Sequence, residues 1–259
     1  MNYLAFDIET IPNQLLPVEC MPVFDPEEVK HGNTKDPVKR AAKEAEEKEK
    51  FDASISKTMS LDPAFCSICT FSAKRKIGDT EEIITRQLSA GDCHDDLENV
   101  TTAIKTISEA YRERIPLVSF NGLSFDLPII LFRAIAQDVK VDMDMWQSIT
   151  RKYGNRHHYD VMQILSGWDR QKWHKQDFYA KLFGIGDPGA FDGSMVFPAY
   201  QAGEYDVIKK YCENDVNLLS GIFERIYPWI LCPEIKEEKQ AEGNNDQLSE
   251  SFEKARCIK

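Results

Sequence analysis

Three short segments carry side chains that could act together. Asp7 and Glu9 stand two apart in Phe6-Asp7-Ile8-Glu9-Thr10, inside an apolar run. In a strand that spacing puts both carboxylates on one face, where a cation would relieve their repulsion. Acids so placed can also simply end the strand and cap a turn. In Asn121-Gly122-Leu123-Ser124-Phe125-Asp126 the acid follows one apolar run and opens another, the place of a helix N-cap or first-turn acid. In Tyr211-Cys212-Glu213-Asn214-Asp215 the tyrosine and the last acid are four apart, which puts them on one helix face. Taken alone, that pair is often a surface hydrogen bond.

In this order and over this length, the segments resemble the DnaQ-like DEDD 3′–5′ exonucleases. Tyr211, four before Asp215, fits the tyrosine (DEDDy) subtype; the histidine subtype needs His five before it, and position 210 is Lys. Gly184-Ile185, Phe191-Asp192-Gly193-Ser194, Tyr200 to Gly203 and Tyr211 to Val216 resemble stand-alone exonucleases related to the proofreading domain of family B DNA polymerases. The resemblance covers about 1–13, 61–73 and 116–226. It implies an RNase H-like α/β fold, a mixed central β-sheet flanked by helices. It also implies metal-dependent 3′–5′ exonuclease action on DNA, preferably single-stranded 3′ ends, releasing nucleoside 5′-monophosphates in replication, repair or recombination.

The implied cofactors are two Mg²⁺ or Mn²⁺ ions, which take hard oxygen ligands and, about 3.5–4 Å apart, can hold the attacking and leaving oxygens of a phosphodiester. By the same resemblance Asp7 bridges both ions, Glu9 and Asp215 hold the one with the attacking water, and Asp126 holds the second, mainly through water. Tyr211 orients that water, since a phenol with a pKa near about 10 is a poor base at neutral pH. Asn121 and Phe125 hold the 3′-terminal nucleotide, Phe125 as plain core being the other reading of that ring. Asp160, in His158-Tyr159-Asp160-Val161, is an additional acid, read as structural or as outer support of the site. Two other functional readings stand beside this one: a DEDD-type exoribonuclease, because the motifs do not reveal contacts to a 2′-hydroxyl, and a non-catalytic nucleic-acid-binding relative.

The elements that must position these residues follow from periodicity. Asn2 to Ile8 reads as a buried strand, and 61–73 and 77–88 as two more, joined near Gly78-Asp79 to form an antiparallel edge. Between them, 35–51 is a charged helix with Asp36 as N-cap, Pro37 at its first position and pairs such as Glu46/Lys50, expected to be solvated and peripheral. Leu97, Val100, Ile104, Ile107 and Tyr111 mark an amphipathic helix that leads to a core strand at 116–120. A buried helix over 127–135, a short strand over 159–164, a helix over 176–183 and a long helix from Tyr205 to about Ile226 complete the pattern. One domain is expected over 1–230, with the charged excursion at 25–60, and a polar, loosely ordered tail over 231–259.

The chain has 259 residues and a formal charge of −11, which excludes a generally basic nucleic-acid coat. Its cationic exception is 151–175, with six basic side chains against two acidic ones and Tyr153, Tyr159, Trp168 and Trp173 among them. That stretch reads either as a strand-gripping surface or as a solvated loop over buried tryptophans. No apolar run is long enough for a membrane span, and Asp7 and Glu9 interrupt any leader-like start, so no membrane partner is expected. Seven cysteines, an odd and sparse set, point to a reducing cytoplasm. The excursion is similar to that of phage and prophage enzymes of this type, which implies a bacterial or phage source. Cys66 and Cys69 have zinc-ligand spacing, but no second pair accompanies them and alternation sends their sulfurs to opposite faces.

Overall fold

The computed structural model describes residues 1–154 and 156–230. β1 (Asn2–Pro12) is buried over most of its length because its residues serve two cores: Leu4, Phe6 and Ile8 face one, and Ile11 faces the other. α1 (Pro37–Leu61) starts where Asp36 accepts the Val38 N–H at 2.9 Å and Pro37 takes a first-turn position. β2 (Cys66–Ile77) and β3 (Thr80–Gln87) form a hairpin whose turn needs Gly78, at φ 58. There follow α2 (Leu97–Arg112), β4 (Leu117–Ser119), α3 (Asp126–Ala136), α4 (Met143–Ile149), β5 (His158–Asp160) and α5 (Val161–Ser166). α6 (Gln176–Phe183), α7 (Val196–Gln201) and α8 (Tyr205–Ile230) complete the described chain.

The strands make one sheet in the order β3-β2-β1-β4-β5, with the hairpin antiparallel to β1 and with β4 and β5 parallel to it. This is the expected mixed sheet with its first strands antiparallel. On one face α2, α3 and α4 bring Val100, Ile107, Leu127 and Trp146 onto Phe6, Ile68 and Phe71. Burying a side chain of this size contributes about 1.5–3 kcal/mol. On the other face α7 and α8 bring Val196, Tyr200 and Ile208 onto Ile11, Cys69 and Leu88. Cys66 and Cys69 thus belong to separate cores, as alternation requires. A buried ion pair fixes α3: Asp96 receives Arg133 through Nε at 2.8 Å and Nη2 at 2.6 Å, and also accepts the Ile68 N–H at 2.9 Å.

The sequence pattern and the structure differ in several places. The expected strand over 159–164 stops at Asp160, because its carboxylate accepts the Gln163 N–H at 3.2 Å and starts α5. α1 outruns the charged stretch by ten residues, and its last turn is not peripheral: Met59 is buried and the Thr10 hydroxyl donates to the Ser60 carbonyl at 2.6 Å. Leu97, expected in the apolar stripe of α2, is 37% exposed. α4 and α7 are helices the pattern did not reveal, and α8 runs past Ile226 with Pro228 inside it. The chain divides into units 1–223 and 224–259, and of the second the structure describes only the end of α8. The expected tail over 231–259 lies outside the described residues. Among the described residues no helix is long and apolar enough to cross a membrane.

Candidate active site

The turn from β4 into α3 is built to deliver Asp126. Asn121 adopts a left-handed backbone, φ 67. Asp160, 2% exposed, accepts the N–H groups of Asn121 and Leu123, each at 3.0 Å. The Ser119 oxygen accepts the Gly122 N–H at 3.1 Å and lies 2.7 Å from His158 Nε2, whose ring Nδ1 lies 2.9 Å from the Ile149 carbonyl. Burial pushes the His158 pKa down to about 4, so the ring is neutral: Nδ1–H donates to Ile149 and Nε2 accepts from Ser119. A methyl on Gly122 would lie 2.2 Å from Ser119 Oγ, so the turn admits only glycine there. Asp126 thereby becomes the first residue of α3, and its carboxylate accepts the Ile8 N–H at 3.2 Å.

Alternation along β1 turns Asp7 and Glu9 away from Phe6 and Ile8, toward the face that α8 covers. There the Cys212 thiol lies 3.5 Å from Asp7 Oδ2 and 3.7 Å from the Asp7 carbonyl. A ligand atom from each of Asp7, Glu9 and Cys212 lies within 4.8 Å of the others. One turn apart on α8, Tyr211 and Asp215 line the same cleft, where the hydroxyl lowers the pKa of the Asp215 carboxyl and the acid raises that of the phenol. Opposite Glu9 the pairing of β1 with β2 slips, Glu9 facing Thr70 and Thr10 facing Ile68, and the Cys69 thiol donates to the Glu9 carbonyl at 3.3 Å.

Their electrostatics tie the acids together. Burial, followed by Asp126, Glu9 and Asp215, holds the Asp7 carboxyl well above the usual carboxylate range. Burial, followed by Asp215 and Asp126, does the same to Glu9. Burial lifts Asp126 to about 7, and burial with the Asp177 charge lifts Asp215 to about 7. Burial and the charges of Asp7 and Glu9 push the Cys212 thiol up, so it stays protonated and donates to Asp7. Anions forced together in a poorly solvated place favour either protons or a cation.

Asp7, Glu9, Phe125, Tyr211 and Asp215 all line one cleft of about 720 Å³. Asp126 is not among its lining residues but holds the N–H of Ile8, which is, and Phe125 both lines the cleft and packs on the core. Asn121 is not among the lining residues; its backbone shapes the turn, and its buried Oδ1 has no partner among the described residues.

Residues 61–223 match the family described as "Predicted 3'-5' exonuclease related to the exonuclease domain of PolB". The chain belongs to that family. The match to this PolB-related exonuclease family takes in Asp126, Tyr211 and Asp215, whereas Asp7 and Glu9 precede it. The family B DNA polymerase from the hyperthermophilic archaeon Pyrobaculum calidifontis is similar in structure over 88% of this chain, with a TM-score of 0.56 and 18% identity. The fold shared with it is the RNase H-like α/β fold. The chain spans 25% of that polymerase. E. coli Exonuclease I, solved in complex with a dT13 oligonucleotide, aligns over 88% of this chain and 43% of its own, at 9% identity and a TM-score of 0.37, too distant to carry an argument. Among curated proteins none matches the chain in sequence.

Sequence reasoning gave no role to several residues of the cleft. Cys212 sits in the Tyr211–Asp215 motif, but only the rotation of α8 against β1 shows its thiol facing Asp7. Lys57, Ser60 and Leu61 come from α1, and Asp192 and Ser194 from the loop before α7. In the 151–175 stretch the two tryptophans are half-buried rather than buried. Tyr153, 76% exposed, and half-buried Trp168 pack with ring centroids 4.5 Å apart, both at left-handed φ (61 and 64). Arg170 lies 5.3 Å over the Trp173 ring, while His158 is core. A small groove there, about 110 Å³, includes Leu123 and Ser124 from the turn ahead of Asp126.

Proposed function

We propose that the chain is a divalent-cation-dependent 3′–5′ exonuclease of the tyrosine subtype, acting on single-stranded DNA 3′ ends and releasing nucleoside 5′-monophosphates. The observation that carries this reading is one cleft lined by Asp7, Glu9, Tyr211 and Asp215, with the Asp126 carboxylate fastened to the same strand through the Ile8 N–H. The donor set fits Mg²⁺ or Mn²⁺: carboxylate oxygens predominate, and burial with like charge leaves them short of positive charge. Asp7, Glu9, Asp126 and Asp215 would hold two such ions. When bound, they supply charge neutralisation at the phosphate and a water acidic enough to attack near neutral pH.

The chain's own residues do the rest. Tyr211, held protonated by burial and by Glu9, Asp215 and Asp7, orients the attacking water through its hydroxyl and does not take its proton. Phe125 offers a ring face to the terminal base, and Asn121 shapes the turn beneath it. Beyond the cleft, Tyr153, Trp168 and Arg170 would meet the preceding nucleotides, aromatic faces stacking on bases and cations meeting phosphates. The free thiols of Cys66, Cys69 and Cys212 suit a reducing cytoplasm, and a role in DNA replication, repair or recombination suits the chemistry.

The test is purified protein with Mg²⁺ or Mn²⁺ and a 5′-labelled single strand. The expected result is a ladder shortening from the 3′ end with release of mononucleotides, abolished by EDTA and by Asp7→Asn. An intact strand from a protein that also binds no divalent cation overturns the reading. Faster cleavage of a matched RNA oligomer would reassign the substrate.

A further inference from the structure

α1 lies almost wholly outside the span that defines the family, since the match begins at its last residue, Leu61. Its second half nevertheless walls the cleft: Ala53, Ser56, Lys57, Ser60 and Leu61 line it, and their spacing of three and four puts them on one helix face. The wall is fixed next to the acids. The Thr10 hydroxyl holds the Ser60 carbonyl at 2.6 Å, one residue along β1 from Glu9, and Met59 is buried behind it.

Lys57 is the cation of α1 that lines the cleft. In the first half Lys48 pairs with Asp52 at 3.7 Å, and Lys50 pairs with Glu46 at 2.7 Å and Glu47 at 3.0 Å. Lys57 is exposed, and among the described residues no carboxylate lies within ion-pair distance of it. Across the lining, Asp192 is held chiefly by the Ser194 hydroxyl and N–H, with Lys175 and then Lys57 adding attraction from further away. The lining of the cleft therefore sets two lysines, Lys57 and Lys175, among the acids Asp7, Glu9, Asp192 and Asp215. Small side chains at Ala53, Ser56 and Ser60 leave the Lys57 stem the longest projection from α1 into it.

We infer that α1 is a strand guide: Lys57 binds a backbone phosphate of single-stranded DNA lying in the cleft beside Glu9. This rests on the exonuclease reading of the cleft and adds to it a positioning residue from a segment the family match does not include. An ammonium on a phosphate acts as a point charge, so its contribution is to affinity and to salt dependence rather than to bond breaking.

The experiment is equilibrium binding of a fluorescent thymidine oligonucleotide to the full chain in EDTA, across a salt series, followed by steady-state cleavage with Mg²⁺. Lys57→Ala, at an exposed helical position where alanine is favoured, keeps the fold. It is expected to weaken binding about fivefold and to reduce the slope of log K against log salt by about 0.7. In cleavage KM rises and kcat does not fall. Lys57→Arg restores both, and Lys48→Ala behaves as wild type. If wild type binds and cleaves while Lys57→Ala matches it, or weakens binding with an unchanged salt slope, the guide role is overturned and the exonuclease reading stands. If wild type neither binds nor cleaves, both fall.

Discussion

The carboxylate of Asp126 accepts the backbone N–H of Ile8 at 3.2 Å, which fastens the start of α3 to the strand that carries Asp7 and Glu9 on either side of that N–H. The bond exists because β4 is short. Its parallel ladder pairs Leu4 with Leu117 and Ala5 with Val118 and ends at Ser119, so Ile8 lies beyond the last strand partner on that side. A buried N–H must find an acceptor, and an acidic side chain takes the place of the missing strand carbonyl. This one bond links acids from distant parts of the chain.

That double duty can be separated by substitution. Asp126→Asn removes the charge and keeps an acceptor for Ile8, whereas Asp126→Ala leaves the N–H buried and unpaired, a penalty of about 1–3 kcal/mol. Both variants are expected to lose cleavage. In urea unfolding at pH 8 the alanine variant should fall below the asparagine variant by that amount. Equal stabilities would show that the Ile8 N–H finds another partner and that the bond does not position the site.

The acid cluster should make the cation-free protein more stable in mild acid than in mild alkali. Burial with neighbouring acids raises Asp7 and Glu9 well above the usual range, and Asp126 and Asp215 reach about 7, whereas unfolded Asp and Glu titrate near about 4. Between about pH 4 and 7 the folded chain therefore binds more protons than the unfolded one, and stability falls as pH rises through that window. Melting in EDTA should give a higher midpoint at pH 5.5 than at pH 8. Mn²⁺ should raise the midpoint at pH 8 and do little at pH 5.5, because protons compete for the same oxygens. Asp7→Asn should blunt both responses. A higher midpoint at pH 8 in EDTA would mean that the acids are better solvated than their burial implies.

Much of this arrangement is legible in the sequence, and the exceptions share a cause. The shared face of Asp7 and Glu9 follows from strand alternation, and that of Tyr211 and Asp215 from helical spacing, so local geometry alone pairs them. The turn at Gly78-Asp79 and the apolar stripe of α2 carry their own periods. By contrast, α4 and α7 are too short to display one. Charge patterning identified α1, but residues 52–60 contain few apolar side chains, and only burial of Met59 and the Thr10–Ser60 bond show which side meets the cleft. Asp160 reads as a spare acid until the turn at 121–123 folds over it and supplies two N–H groups. What the sequence withholds is the rotation and docking of elements, which depend on contacts between distant segments.

Gly122 is a steric requirement of the site. A methyl there would approach Ser119 Oγ to 2.2 Å and Ser119 Cβ to 2.5 Å, both far inside contact distance. Gly122→Ala should destabilise the protein by about 1–3 kcal/mol. Cleavage should fall further than stability, since the displaced turn carries Asp126. Adding Ser119→Gly removes both clashing atoms and should recover part of the stability, though not the contact with His158. Denaturant unfolding beside cleavage of a labelled strand checks both. A Gly122→Ala chain as active as wild type would show that Asp126 is not set by this turn.

Tyr211 is the residue whose role is most open to confusion, because it stands where a base could stand. It shares the cleft with Asp215 one turn along α8, and burial together with Glu9, Asp215 and Asp7 holds the phenol far above its ordinary pKa. So reluctant an acid cannot serve as a neutral-pH base in its ionised form; it can only orient. Tyr211→Phe should therefore lower kcat by about tenfold, short of the about 10²–10⁴ that loss of a true acid–base group brings, with KM little changed. A second signature follows from the same pair. Burial lifts the Asp215 carboxyl to about 7 while the Tyr211 hydroxyl pulls it down, so removing the hydroxyl lets Asp215 hold its proton to higher pH. The acid limb of the pH–rate profile should move up in the variant, and the rise toward alkaline pH expected from ionisation of the attacking water should persist. A larger loss with a flattened alkaline limb would instead make Tyr211 the proton acceptor and contradict the burial that keeps it protonated.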